Sequence, residues 1–580
     1  MKFKYKQIGT GLGFCGNNLL ENILKSRGIK NPKQFLNVNE RNIEDFHLFD
    51  NMKEGVNLLI SHLKNNSKIG LLVDCDSDGF TSCSLIYQYI KNIYPNINIK
   101  YLIHNGKQHG LTNDIMLQIE KEKFNLVILP DSGTNDFSQH RILKDNNIDV
   151  LVLDHHDCDD GYSKDAIVIN NQLSSKITDK ALTGVGVVYK FCQALDEYLN
   201  VNYADNFLDL VALGIIADSA DLRNLESRYL VLKGLNLIAE NKNKNKFISK
   251  LVKKQAYSMK NKVTIMGIAF YISPLINSVI RSGTLEENQD LFKAFIGVNE
   301  TRIDKIRGKG EVELSIEDYG VRLCEKLKRK QNKIVDKAVE LLDNQIYNFN
   351  LNNNAIIVIN GENIEPNYTG LIANKIASKY QKPCILMKKH NDVLSGSGRG
   401  YDKSNITNLR KWCLNTNLFN YASGHDAAFG LSIKLDNINK LYTTISMLPN
   451  DNILNYTVDA ILNDKTLNST LIEQVASNSE IWGNHIDEPL FAIENLIINS
   501  ENIKLMGTKK NTIKFVYKGI IFIKFKTNED TYNSIIKEKQ NKFTIIGRFS
   551  INEYNNIKTP QVIIENWSYE KSKEIKKFVF

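Results

Sequence analysis

Asp74, Asp76 and Asp78 stand at spacing two and are followed directly by Gly79. Carboxylates held that close repel one another strongly unless a cation or a proton intervenes. The spacing does not fit an EF-hand, because the glycine comes too early and no distal glutamate closes the loop. Alone, the triplet is compatible with a solvated acidic turn. Three more elements bear on it. Asp131 ends the apolar run LVILPD, Asp154-His155-His156 ends VLVLDHH, and Asp218 ends VALGIIAD. Adjacent histidines on an extended segment point to opposite sides, so one can ligate a metal while the other faces substrate. Mixed carboxylate and imidazole donors suit Mn²⁺ or Mg²⁺ better than structural zinc, which favours thiolates. Two ions about 3.5–4 Å apart, bridged by one carboxylate, are the expected arrangement for phosphate-ester hydrolysis.

Such a site needs elements that bring its residues to one edge. Short apolar runs at IGLLVD (69–74), NIKYLI (98–103), LVILPD (126–131), VLVLDHH (150–156) and AIVIN (166–170) alternate with stretches of helical period. That alternation predicts βαβ crossovers and a parallel sheet. Ligands of such sheets sit beyond the carboxyl ends of the strands. Asp74, Asp131 and Asp154 all lie at those ends. The first 60 residues read as short helices and residues 180–240 as helical. Residues 312–345 read as one long, charged, exposed helix able to join two lobes. A second α/β unit starts at AIIVIN (355–360), and from about residue 500 the texture is all-β. No internal repeat is evident.

The chain has 580 residues, a net charge of +9, 42% hydrophobic and 24% charged residues. That length suggests about three to five domains, and the composition excludes disorder over the whole chain. No apolar run is expected to reach the ~18 residues of a membrane span. The first residues show no apolar signal core, and the 8 cysteines form no CxxC pair. A cytoplasmic protein with free thiols is expected. The charge is compatible with nucleic-acid binding without demonstrating it.

DCDSDG (74–79), PDSG (130–133), DHH (154–156) and IIAD (215–218) resemble, in order, motifs of the DHH phosphoesterase superfamily. Within it the chain resembles the RecJ single-strand-specific exonucleases. LLENILKSRGIKNPKQFL resembles their N-terminal arm. LTGVGVVYKF (182–191), SPLINSVIR (273–281) and the charged helix at 312–345 have counterparts there too. SGSGRG (395–400) with ASGHDAAFG (422–430) resembles the GGH motif of the DHH-associated domain, and the C-terminal β region resembles an OB-fold. The likeness covers nearly the whole chain except a segment around 436–500.

The resemblance implies that Asp76 and Asp131, helped by Asp74, hold one metal. Asp78, Asp131, His155 and Asp218 hold the other, so that Asp131 bridges. His156 faces the scissile phosphate, and Asp154 orients a ligand imidazole from behind. Asn277 and Arg281 contact a phosphate. Ser395, Ser397 and Arg399 grip a terminal 5′ phosphate, and Gly424-His425 meets a phosphate or base nearby. The sequence departs from the family where an arginine and a Gly-Tyr-Gly element are usual. It reads NGKQHGLTND (105–114), with Lys107 in place of the arginine and His109 unexpected. A point charge replaces a bidentate fork there. Ser423 also stands where the first glycine of the GGH motif falls.

The expected architecture is α/β: two α/β lobes (a DHH domain with a parallel sheet and a DHH-associated domain) joined by a long helix, plus an OB-like barrel. The expected divisions are a helical arm (1–66), the DHH domain (67–311), the connecting helix (312–345), the DHH-associated domain (346–435), an unassigned segment (436–500) and the OB-like domain (501–580). In the last, Lys and Arg outnumber Asp and Glu and interleave with aromatics, as in single-strand-binding surfaces. The family implies a monomeric 5′→3′ exonuclease using two Mn²⁺ or Mg²⁺ ions. It would release 5′-mononucleotides in DNA repair, recombination or replication, with a helicase or single-strand-binding protein as partner and no membrane. Two alternatives stand: a nanoRNase or cyclic-dinucleotide phosphodiesterase of the same superfamily, and a catalytically silent DNA-binding scaffold.

Overall fold

The structure, a computed structural model, describes residues 3–8, 19–106, 108–158, 160–449, 453–555 and 557–571. Lys107 lies outside the described residues. The chain forms two compact units. A central unit comprises Gln34–Lys333 and Glu480–Asp487, and a terminal unit comprises Met1–Lys33, Ile334–Ser479 and Glu488–Phe580.

The central unit is built on five parallel strands, β1 (Ile69–Val73), β2 (Ile99–Ile103), β3 (Leu126–Pro130), β4 (Asp149–Asp154) and β5 (Ile167–Asn170), in the order β2-β1-β3-β4-β5. Helices cover both faces, so alternate residues of one strand serve different cores. Leu71 and Val73 join one apolar cluster and Leu72 the other. This is why these strands are apolar throughout rather than alternating. Each fully buried Leu, Ile or Val contributes roughly 1.5–3 kcal/mol, and a chain slip of one residue would exchange the two faces. The order reverses at β1, whose neighbours are β2 and β3, and that switch point places the ends of β1, β3 and β4 side by side. Helix α1 (Ser77–Ile93) leaves the end of β1. Helices α2 (Gly184–Leu199), α3 (Leu208–Ala217) and α4 (Ser273–Ser282) belong to the same core.

Helix α5 (Ile316–Asn348) starts later than the pattern suggested, because Gly310–Ser315 pairs with Thr301–Ile306 as a hairpin. It is also not wholly exposed. Val321, Leu323, Cys324 and Leu327 are buried in the core of the central unit, and Val335, Val339, Leu342 and Ile346 in a core of the terminal unit. Its charges occupy the remaining face.

The terminal unit holds a five-stranded sheet of β6 (Ile357–Asn360), β7 (Cys384–His390), β8 (Val393–Arg399), β9 (Phe419–His425) and β10 (Ala428–Lys434), ordered β9-β10-β8-β7-β6, with helix α6 (Thr369–Tyr380) against one face. A seven-stranded sheet follows, of β11 (Ala460–Asn463), β12 (Phe491–Asn499), β13 (Ile503–Met506), β14 (Thr512–Tyr517), β15 (Ile520–Phe525), β16 (Gln540–Tyr554) and β17 (Ile557–Lys571), ordered β11-β12-β16-β17-β15-β14-β13. It therefore begins near residue 460 and absorbs most of the segment that the sequence left unassigned. The N-terminal arm also differs from expectation. Phe3–Gln7 is a strand paired in parallel with Leu454–Val458, and Arg27 makes a bidentate ion pair with the buried Asp459 (2.7 and 2.8 Å). Residues 3–33 thus belong to the terminal unit, while the helix Met52–Lys64 packs in the core of the central unit. The pairing is non-local, so no local periodicity announces it.

Among the described residues one helical run, Ile265–Ser282, is long and apolar enough to cross a membrane, contrary to the expectation from the sequence, and 56% of it is buried inside the protein. Among the described residues all cysteines are free.

Candidate active site

The ends of β1, β3 and β4 and the end of α3 deliver the predicted acids and histidines to one place. Asp76 caps α1, accepting the Gly79 N–H at 3.0 Å. Asp131 leaves β3 with φ +62°, in a conformation that costs an L-residue about 1–2 kcal/mol. It packs so closely on the start of α2 that a Cβ at Gly184 would lie 2.3 Å from its Oδ1. A Cβ at Gly214, on α3, would lie 2.4 Å from Asp78 Oδ1. Glycine is required at both points because a carboxylate occupies the space. The start of α2 also serves Asp78, whose Oδ1 accepts the Val185 N–H at 3.3 Å.

Ligand atoms of Asp74, Asp76 and Asp131 lie within 4.8 Å of one another, as do those of Asp78, His155 and Asp218. His155 Nε2 joins the groups: it lies 3.2 Å from Asp131 Oδ1 and 3.9 Å from Asp218 Oδ2. Asp131 Oδ1 nonetheless makes no hydrogen bond, and Asp78 Oδ2 is likewise buried without a partner. Approach without hydrogen-bond geometry is what two ligands of one cation show. These donors, mainly carboxylates with one imidazole, suit hard or borderline divalent ions better than structural zinc.

The electrostatics agree. Burial, reinforced by Asp76, pushes Asp78 up to about 7, and burial with Asp78 does the same to Asp218. Burial and the charges of Asp78, Asp76 and Asp74 push Asp131 well above the usual carboxylate range. Two like charges 4 Å apart repel by about 4 kcal/mol at an effective dielectric of 20. The group therefore holds its full charge only when cations neutralise it.

Asp154 corrects one expectation. Its Oδ1 contacts Nδ1 of His156 at 2.7 Å, so it orients the ring of His156 rather than that of His155. It also accepts the backbone N–H groups of His155 (2.7 Å) and Thr134 (3.0 Å). Burial alone would raise Asp154, but His156, His155 and Thr134 outweigh it and hold the carboxylate below its ordinary range. The bond to Asp154 raises His156 to about 9 against its burial, whereas burial lowers His155, as suits a neutral ligand. The two rings are not on opposite sides: their centroids lie 4.6 Å apart, because the extended backbone of β4 stops at Asp154.

His109 does reach this site. Its Nδ1 lies 2.6 Å from Asp74 Oδ2, and that contact, then Cys75, raises it to about 10. Cys75 and the buried His104, 3.9 Å from Asp74, are neighbours that the motif reading passed over. Asn277, on α4, accepts the Ser77 hydroxyl at 3.0 Å. Arg281, one turn on, is close enough that its charge adds to burial in lowering Lys328.

A further contribution comes from Glu480–Asp487. Trp482 is buried, Asn484 Nδ2 donates to Ile216 O at 3.0 Å, and His485 Nε2 lies 3.0 Å from Ser219 O. These bonds bracket Asp218. A Cβ at Gly483 would meet Ile265 at 2.3 Å. The sequence carried one signal of this, an isolated Trp-Gly-Asn-His in polar surroundings.

In the terminal unit, the serines, glycines and arginine at 395–399 lie within strand β8. Gly396 is pressed on Leu386 O, and Gly398 lies under the ring of Phe429. Ser395, Ser397 and Arg399 alternate onto the other face, toward α6. Ser397 Oγ lies 2.9 Å from Thr369 Oγ1, and Arg399 lies against Gly370. Arg399, Ala428 and His425 form one cross-strand row, which puts His425 on the face of Arg399 about 10 Å away. Gly424 has φ +128°, where a side chain would be strained. Thr369 and the start of α6 were not foreseen, since nothing local ties them to β8.

Residues 68–215 match the DHH family, N-terminal domain, and residues 458–566 match the RecJ OB domain. The chain is 40% identical over 576 residues, 97% of each chain, to the SPbeta prophage-derived single-strand DNA-specific exonuclease YorK of Bacillus subtilis (strain 168). The chain belongs to the RecJ family. It is 22% identical over 564 residues to the single-stranded-DNA-specific exonuclease RecJ of Bacillus subtilis (strain 168), covering 94% of this chain and 67% of that one. It shares the fold of the RecJ crystal structure from Thermus thermophilus in complex with Mn²⁺, with TM-score 0.72, 18% identity, and coverage of 99% of this chain and 80% of that one. The RecJ match at 458–566 agrees with the observed start of the seven-stranded sheet.

Proposed function

We infer that this protein is a metal-dependent exonuclease that hydrolyses single-stranded DNA. The observation that carries the reading is the buried Asp131 carboxylate, which lies with the ligand atoms of Asp74 and Asp76 and has its unbonded Oδ1 3.2 Å from Nε2 of His155, which groups with Asp78 and Asp218. Asp74, Asp76 and Asp131 would hold one Mn²⁺ or Mg²⁺, and Asp78, Asp131, His155 and Asp218 the second. Ions held there neutralise phosphate charge and lower the pKa of water. Asp131 keeps its position through its packing on α2. The contact of Asp154 with Nδ1 raises His156 to about 9 in the metal-free chain, which favours a proton on the ring. Its Nε2 is therefore free to hold a phosphoryl oxygen or to give its proton to the departing oxygen. Asn277 and Arg281 steady a neighbouring phosphate, and His109 presents a second imidazole beside Asp74.

The polarity is proposed as 5′→3′, with 5′-mononucleotides released. The supporting feature is the face formed by Ser395, Ser397 and Arg399 with the start of α6, which combines hydroxyls, a guanidinium and a helix N-terminus suited to a terminal phosphate. His425 shares that face. The expected unit of action is a single chain, and a helicase or single-strand-binding protein fits as the supplier of substrate. The RecJ OB domain match disfavours a dinucleotide phosphodiesterase, and the full acid set disfavours a silent scaffold. Hydrolysis of a 5′-phosphorylated 40-mer should greatly exceed that of a dinucleotide in Mn²⁺. Activity confined to the dinucleotide would reject the reading.

A further inference from the structure

The run Ile265–Ser282 is unusual for a core helix. In its first half, Ile268–Ile272 is a π turn, a feature often found where a helix is adapted for function. Ile268 and Ile272 are buried there, yet Phe270 is 63% and Tyr271 43% exposed. Two adjacent, open aromatic rings account for much of the apolar character that this helix does not bury. They stand on a particular stripe. Phe270, Tyr271, Pro274, Asn277 and Arg281 are less buried than the isoleucines and leucines between them, and they recur at the spacing of one helix face. Asn277 is the point where that stripe meets the acidic loop, through the Ser77 hydroxyl between Asp76 and Asp78. Arg281 and Lys328 lie at one end of the stripe. The aromatic pair lies about 9 Å from Asn277 toward the other end, by helical rise. The turn that leads into this helix carries the exposed Lys260 and Lys262, and the Lys262 backbone oxygen lies against Gly267.

We propose that Phe270 and Tyr271 form a stacking platform for bases of the single strand, next to the hydrolytic site on the same unit. The proposal rests on the single-strand exonuclease reading and adds a binding subsite to it. The occupant follows from the chemistry along the stripe: cations at both ends suit phosphates, and open rings between them suit bases. Every base has a π face, so such a platform binds without sequence preference. A duplex keeps its bases stacked on one another and offers them no face, so the platform also favours single strands.

The test is binding of a 5′-phosphorylated oligonucleotide by fluorescence anisotropy without divalent metal, which reads the platform independently of hydrolysis. Both side chains are exposed, and a thermal melt confirms folding of the Phe270→Ala/Tyr271→Ala variant. The double variant should bind the intact strand roughly 5- to 150-fold more weakly, the range expected for loss of one base–aromatic stack. A strand carrying abasic sites should bind the parent about as weakly as the variant binds the intact strand, and should lose little further on the variant. Phe270→Trp/Tyr271→Phe should restore binding. Unchanged binding by the alanine variant, or an equal loss on intact and abasic strands, overturns the proposal. If the parent binds and discriminates as expected but hydrolyses no DNA, the exonuclease reading fails and the platform stands.

Discussion

Asp131 occupies a left-handed backbone conformation at the end of a buried strand, with one carboxylate oxygen left open. Its neighbours are in the same position: their own fold disfavours their charge. Burial and mutual repulsion push Asp78 and Asp218 up to about 7 and Asp131 upward, whereas unfolded aspartates titrate near ~3.9. Between those limits the metal-free folded chain binds more protons than the unfolded one, so these groups lose stability as pH rises from about 4 to about 7. A divalent ion reverses this by replacing the protons. Calorimetry at pH 5.5 and pH 8 should therefore show a larger Mn²⁺-induced rise in Tm at pH 8, measured against the metal-free protein at each pH. An equal rise at both would show that the acids are ionised without metal. The acids and His155 were legible from the sequence because each sits at the end of an apolar run, and strand ends share an edge. The partner of Asp154 was not, because ring direction at His155 and His156 depends on where the strand stops.

Elements with similar composition play different parts here. The glycines of SGSGRG permit close strand and ring packing while the serines and arginine point to the other face. Glycine content alone does not separate these roles, whereas the strand register does. The segment Glu480–Asp487 shows the reverse, since a stretch without a motif braces the metal site. Asn484 and His485 hold the backbone on either side of Asp218, and each such bond contributes about 0.5–1.5 kcal/mol. Asn484→Ala should weaken Mn²⁺ binding about 2- to 10-fold by titration calorimetry, in line with the loss of one such bond. Activity should recover at high Mn²⁺, and Tm of the metal-free protein should change little. Unaltered Mn²⁺ affinity would show that the segment is only a connector.

At the scale of the whole molecule, the catalytic sheet and second α/β unit followed from local periodicity, and the boundaries did not. The strand at Phe3–Gln7 pairs with Leu454–Val458, most of the chain away. Strand β11 joins β12 across residues 464–490, which hold a short helix (Ser469–Ala476) and no β pattern. Pairings of such range leave no trace in a short sequence window. Family membership joins these parts into a metal-dependent exonuclease of single-stranded DNA, and the proposed polarity adds that it begins at a 5′ end. Digestion of one single-stranded oligonucleotide, labelled at the 5′ or the 3′ end, with Mn²⁺ and with chelator, tests it most directly. The 5′ label should appear as mononucleotide from the first time point, the 3′ label should pass through progressively shorter fragments, and chelator should stop both. Mononucleotide released first from the 3′ label, or degradation that persists in chelator, would contradict the account.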